Sequence, residues 1–205
     1  SGLGQAVNFV YSGAPAALRA KEMIEAGAIG EIVGAELDVR LSRWPRAFQA
    51  KAQWLSKRAE GGFTREMMSH HAYLTLMLLG VPSLGSAVLA DFEPNGGAEN
   101  LMMAVWATGK GKVAVTGVVG GERLDTVSYR ILGSTGCLRF DNWYNLLHET
   151  ASGTVNILDD EERQPVAAYQ GQLDQLAIQL DTREQRLATF GDALAVQKLI
   201  EQMVA

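Results

Sequence analysis

Between residues 86 and 158 the chain runs through one strand-like segment after another, and this most constrains its fold. The runs are Ser86–Phe92, Asn100–Ala107, Lys112–Val119, Thr126–Leu132, Cys137–Asp141 and Leu146–Thr150, with a weaker one at Thr154–Leu158. They are rich in β-branched and aromatic residues. Breaks at Asn95-Gly96-Gly97, Thr108–Gly111 and Gly120-Gly121 read as antiparallel hairpin connections. A further strand comes earlier. From Val33 to Leu41 apolar residues alternate with Gly34, Glu36, Asp38 and Arg40, the period of a sheet with one buried face.

Helical signals flank this block. Pro15 suits a first helical turn, and Leu18, Lys21 and Ile24 carry the helix to Gly27. Ala6–Tyr11, before it, reads as a short strand. Thr64 to Leu79 is a second helix, closed by Gly80 with Pro82 beyond. Leu173, Leu176, Ala177 and Leu180 have helical spacing. Thr189 and Asp192 form a capping-box pattern before a last helix. The expectation is an α+β fold: one large, mostly antiparallel sheet with helices packed on one face. All 205 residues form a single domain in this reading. Strands such as Leu101–Ala107 and Val113–Val119 are apolar on both faces. The second sheet face is therefore expected to be buried by something outside the chain, as in a homodimer or tetramer.

Composition excludes several classes. A net charge of −5 argues against general nucleic-acid binding. No apolar run approaches the roughly 20 residues that span a bilayer, so no membrane segment is expected. One cysteine, Cys137, provides no internal disulfide and fits a reducing, cytoplasmic setting. It reads as a small core residue. Ser1 to Gln5 reads as a domain cut, and the chain as a piece of a longer protein. Thr108-Gly109-Lys110-Gly111-Lys112 lacks Walker spacing and joins two strands, so it is a turn. No Gly-x-Gly-x-x-Gly loop opens a helix, and no Gly-x-Ser-x-Gly elbow occurs.

The chemistry is concentrated in Gly61-Gly62-Phe63-Thr64-Arg65-Glu66-Met67-Met68-Ser69-His70-His71-Ala72-Tyr73. On an α-helix, the four-residue spacing puts Glu66 and His70 one turn apart on one face, with Tyr73 near the same stripe. A carboxylate beside an imidazole is an acid/base device that works near neutral pH. The competing reading is a pair of satisfied core histidines. A metal is disfavoured, because the adjacent His70 and His71 point about 100° apart on a helix. Seven cationic side chains, Arg40, Arg43, Arg46, Lys51, Lys57, Arg58 and Arg65, fall within 26 residues, with Glu60 the lone acid among them. They form either a solvated arm or an anion-attracting rim for a phosphate-bearing cofactor or a carboxylated substrate.

Taken together these segments resemble the C-terminal domain of the glucose–fructose oxidoreductase/inositol dehydrogenase/MocA (Gfo/Idh/MocA) family. Ala17 to Ile32 is similar to its helix and G-x-I-G strand start. Gly61-Gly62 through Leu79-Gly80 is similar to its GG…D-x-x-x-H…LLG helix. Gly133-Ser134-Thr135-Gly136 with Leu138 is similar to its G-x-x-G-x-L turn, and Phe190 to Leu194 to its closing F-x-D-x-L helix. The resemblance implies a two-domain enzyme that transfers hydride between NAD or NADP and a sugar, polyol or cyclitol. The cofactor would be held mainly by an N-terminal Rossmann domain absent from this chain, so the fragment alone would be inactive. It implies a catalytic His70, with Glu66 in place of the usual Asp as its partner. Tyr73 and His71 stand where Asp and an aliphatic residue are common. Tyr73, His71, Arg40, Trp44 and Trp54 are the candidate substrate-binding residues. The alternative is a non-catalytic binding or scaffolding module that kept the fold.

Overall fold

The computed structural model describes residues 4–205. Nine strands form one sheet: β1 Ile32–Leu41, β2 Ser83–Leu84, β3 Leu89–Phe92, β4 Glu99–Thr108, β5 Gly111–Val119, β6 Thr126–Gly133, β7 Cys137–Asp141, β8 Asn145–Thr150 and β9 Gly153–Asn156. Four α-helices accompany it: α1 Pro15–Glu25, α2 Ser69–Leu79, α3 Pro165–Thr182 and α4 Phe190–Val204. The sheet is mixed but mostly antiparallel, with strand order β2-β4-β5-β1-β6-β7-β8-β9 and β3 pairing with β4. The α+β expectation holds.

The alternation in β1 decides which face is covered. Ala35, Leu37, Val39 and Leu41 are buried against the helical layer, while Glu36 is exposed and Asp38 and Arg40 are half-buried on the other side. Met102, Ala104 and Trp106 of β4 and Val113 and Val115 of β5 join the same core. Trp106 is fully buried and its indole N–H donates to the Met203 sulfur of α4 at 3.2 Å. Thr189 caps α4 with the reciprocal bonds of a capping box: its hydroxyl accepts from Asp192 N–H, and the Asp192 carboxylate accepts from Thr189 N–H.

Three local expectations are corrected. Ala6–Tyr11 is not a strand. It makes a single bridge, Val7 to Ala188, and then a 3₁₀ turn at Val10–Ser12, because Tyr11 is drawn into the core. Gly120-Gly121 is not a hairpin connection: β1 lies between β5 and β6, parallel to the first and antiparallel to the second. Ser86–Phe92 is not one strand, since only Leu89–Phe92 pairs there and Ser83–Leu84 pairs separately with β4.

The open sheet face is mixed rather than apolar throughout. Met103 and Leu89 are exposed at the β3–β4 side. Its centre carries the Asp38–Arg40 pair, with the Thr116 hydroxyl donating to Asp38 at 2.6 Å. Further along, Arg139 pairs with Glu149.

Candidate active site

The helix that carries Glu66 and His70 does not start as an α-helix. Thr64–Met68 form a π-helical turn, and α-geometry begins only at Ser69. The cause is the way this end is seated. Glu99, buried on β4, turns its carboxylate under the helix start, where Oε1 accepts from Thr64 N–H at 2.6 Å. Gly62 lets it approach: φ is +98°, and a side chain there would meet the same carboxylate, with Oε1 at 2.7 Å. At Gly117 of β5, a Cβ would meet Phe63 and Met68, so the helix end lies directly on the sheet. Unequal constraints on the first turn favour the wider i→i+5 pattern, which recurs at functional positions.

That turn undoes the expected Glu66–His70 pair. Residues four apart across a π-turn no longer stack as in an α-helix. Glu66 Oε1 accepts from Gln49 Nε2 at 2.9 Å, and no hydrogen bond joins Glu66 to His70. The His70 Nδ1 is buried without a partner. Aromatic rings hold the imidazole instead. Phe9 meets it edge-on at 5.7 Å and Trp143 does the same from the other side at 5.7 Å. Burial pushes the His70 pKa down to about 4, so the ring is neutral near pH 7.

His71 is a correction. It is 1 % exposed and cannot bind a substrate. Its Nδ1 lies 3.0 Å from the Met67 carbonyl, which requires Nδ1–H as donor, and Nε2 then accepts from the Tyr11 hydroxyl at 3.1 Å. Both ring nitrogens are satisfied, and burial holds its pKa down to about 3. The core-histidine reading fits this residue alone.

Arg40 is a second correction. It lies on the open face of the sheet, opposite the helices, with Nε donating to both Asp38 oxygens at 2.8 and 2.9 Å. The strand alternation that buries Val39 and Leu41 sends it there. Tyr73 does sit in the His70 cluster, its ring stacked on Phe9 at 4.6 Å, but it is 5 % exposed and serves as packing. Trp44 clamps the arm that follows β1: its indole N–H donates to the Leu55 carbonyl at 2.8 Å and its ring meets Phe63 edge-on. Trp54 is 47 % exposed and has no ring contact with His70.

The motifs do not point to Phe9 and Trp143, which contact His70, or to Gln49, which bonds Glu66; Arg46 is already one of the seven clustered cations. Arg46 Nε donates to Gln49 Oε1 at 3.0 Å, and Gln49 passes the chain on to Glu66. Trp143 belongs to the three-residue turn between β7 and β8, Asn142-Trp143-Tyr144, where Asn142 and Trp143 have φ of +46° and +79°. A bulky residue at positive φ is strained. It persists because the indole is wedged between Tyr11, stacked at 6.0 Å, and the two histidines, with His71 at 4.7 Å. A signal existed in Asp141-Asn142-Trp143-Tyr144, an aromatic pair placed where a hairpin turn calls for Gly or Asn. Among the described residues, no group of three or more His, Cys, Asp or Glu side chains could hold a metal. No helix is long and apolar enough to cross a membrane.

Both histidines are held neutral, and this predicts a pH dependence. Below about pH 6.5 an unfolded histidine takes up a proton that the native ring refuses. The unfolded state then binds more protons, so stability falls with pH toward about 4 for His70 and about 3 for His71. Urea melts at pH 7.5, 6.5 and 5.5, above the carboxylate range, should show a falling midpoint. A midpoint unchanged to pH 5.5 would show that neither ring is held neutral.

The chain is thus a large sheet with one helical layer, with an imidazole at the seated end of α2. The family model of the GFO/IDH/MocA C-terminal domain matches residues 17–139, and the chain belongs to this family. Solved structures share the fold at low sequence identity. Levoglucosan dehydrogenase in complex with NADH aligns with TM-score 0.82 and 17 % identity, over 100 % of this chain and 64 % of that one. An oxidoreductase from Thermotoga maritima gives 0.74 and 16 %, over 97 % and 59 %. An inositol dehydrogenase homolog from Azotobacter vinelandii, complexed with NADH and myo-inositol, gives 0.73 and 14 %, over 97 % and 61 %. The chain thus spans about 60 % of the length of these structures. No curated protein is significantly similar to it in sequence.

Proposed function

We propose that this chain is the substrate-side domain of a nicotinamide-dependent oxidoreductase acting on a hydroxyl or carbonyl carbon of a sugar, polyol or cyclitol, with His70 as its acid/base. One observation carries the reading. His70 is kept neutral at the seated end of α2, and its Nε2, unlike the sealed Nδ1, is not among the fully buried unpaired atoms and makes no hydrogen bond among the described residues. A neutral imidazole with one open nitrogen can take the proton of a hydroxyl as that carbon is oxidised and return it in the reverse direction. The family and the solved relatives, whose names describe sugar and cyclitol dehydrogenases with NADH, support the same class.

Bound nicotinamide would supply the hydride acceptor. The residues of this chain do not fit a dinucleotide: they contain no Gly-rich strand-to-helix loop, and the helix start at Thr64 is already capped by Glu99. The chain handles the substrate instead. Phe9 and Trp143 orient the imidazole and keep water from its inner edge. Glu66, held through Gln49, anchors the arm beside it.

A second reading has one observation in its favour. No carboxylate backs His70, which leaves it a weak base and would suit a non-catalytic binding module. The two readings separate in the full-length protein assayed for NAD and NADP reduction with a panel of aldoses, polyols and inositols. Turnover with any of them supports the dehydrogenase. No turnover with either cofactor across the panel would favour the binding module.

A further inference from the structure

We propose that the site beside His70 is built for an anionic sugar-type substrate, bearing a carboxylate or a phosphate, and that Arg46 is the residue that takes its charge. The inference rests on the oxidoreductase reading for the location of the site and adds the class of substrate.

Of the seven cations clustered after β1, most are engaged elsewhere or lie open in solvent. Arg40 is bound to Asp38 across the sheet. Arg58 donates to the carbonyls of Val204 and Ala205 and lies 3.8 Å over Phe92. Arg65 forks onto both oxygens of Glu201 at 2.8 Å each. Lys57 pairs with Glu60, and Arg43 and Lys51 are exposed.

Arg46 is different. It is half-buried, yet no ion pair joins it to any carboxylate among the described residues. Its Nε is used to fix the fork on Gln49, while its two terminal nitrogens make no hydrogen bond among the described residues. The guanidinium lies 4.7 Å from the centre of the Phe48 ring and 5.9 Å from that of Trp44. Phe48 is itself 77 % exposed, so this stack covers little apolar surface and does not explain the placement. Burial lowers the Arg46 pKa, while Glu66, Asp125 and Tyr144 act on it only from a distance. No carboxylate is paired with this half-buried guanidinium, and its planar outer edge matches a carboxylate or phosphate in bidentate fashion.

Hydrogen bonds tie this fork to the start of the helix that carries His70. Through the arm, Arg46 bonds Gln49 and Gln49 bonds Glu66, on the turn that leads into His70.

The test is equilibrium binding by calorimetry to the full-length protein saturated with NAD or NADP, so that the answer does not depend on turnover. The probes are glucuronate, gluconate, glucose 6-phosphate and glucose. At least one anionic probe should bind 10-fold or more tightly than glucose. Arg46→Met should erase that difference and Arg46→Lys should keep part of it. Preference for the carboxylates or for the phosphate then names the anion. Equal binding of glucose, an unchanged preference in Arg46→Met, or no binding of any anionic probe would each overturn the proposal. Turnover on neutral polyols by a protein without anion preference would leave the oxidoreductase reading standing while this one falls.

Discussion

His70→Ala in the full-length protein is expected to lower kcat by about 10²–10⁴-fold, the usual cost of losing a positioned acid/base. The fold should tolerate the change. His70 makes no hydrogen bond within the protein, and its buried Nδ1 is unsatisfied, so the substitution removes a polar group that burial already penalises. What is lost is ring packing against Phe9 and Trp143. His71→Ala reverses the pattern: it strips the Tyr11 hydroxyl of its buried partner and opens a cavity in the core, so stability should suffer before chemistry does. Steady-state kinetics and urea melts on both variants separate the roles. A His70→Ala protein that turns over like its parent would remove His70 from the mechanism.

Gly62→Ala should destabilise the fold by about 2–4 kcal/mol, combining backbone strain at positive φ with loss of a helix cap. Gly62 has φ +98°, and its new methyl would collide with a carboxylate that has nowhere to go. Glu99 is 2 % exposed, and its Oε1 is committed to Thr64 N–H at 2.6 Å. Displacing it uncaps the turn that leads to His70, so activity should fall as well. Gly27→Ala is the control. Its φ is +73° but no heavy atom lies within 4 Å of the new methyl, so it carries the strain without the collision. In urea denaturation Gly62→Ala should therefore lose more than Gly27→Ala. Equal losses would mean that the Glu99 contact contributes nothing.

Backbone periodicity is local, and what depends on it was legible. The alternation from Val33 to Leu41 named β1 and, from Ala35 on, its buried face, though Val33 itself is exposed, and Thr189 with Asp192 named the start of α4. The run of strands from β4 to β8 and the α+β class followed from the same kind of signal. Residues alone also singled out His70 and Glu66, because an imidazole and a carboxylate stand out in an apolar helix. Strand order was not legible. Nothing near Gly120-Gly121 says that β1, some eighty residues earlier, will occupy the place beside β5 that a hairpin partner would take.

The site shows the division most sharply. The sequence by itself singled out Glu66 and His70 as the candidates for chemistry and set them near the start of a helix behind a glycine pair. Tertiary structure alone decided how they face. The Glu66–His70 pairing assumed an α-turn, but Glu99 from β4 and the close seat on Gly117 go with a π-turn, and Glu66 turns to Gln49. The same packing made His71 a satisfied core residue and sent Arg40 through the sheet to the opposite face. It brought Phe9 and Trp143, distant in sequence, against His70, and tied Arg46 through Gln49 to Glu66. A residue's type and local spacing are fixed by the chain around it. Its partners are chosen by long-range contacts, whose register, burial and close approaches leave no trace in the few residues on either side.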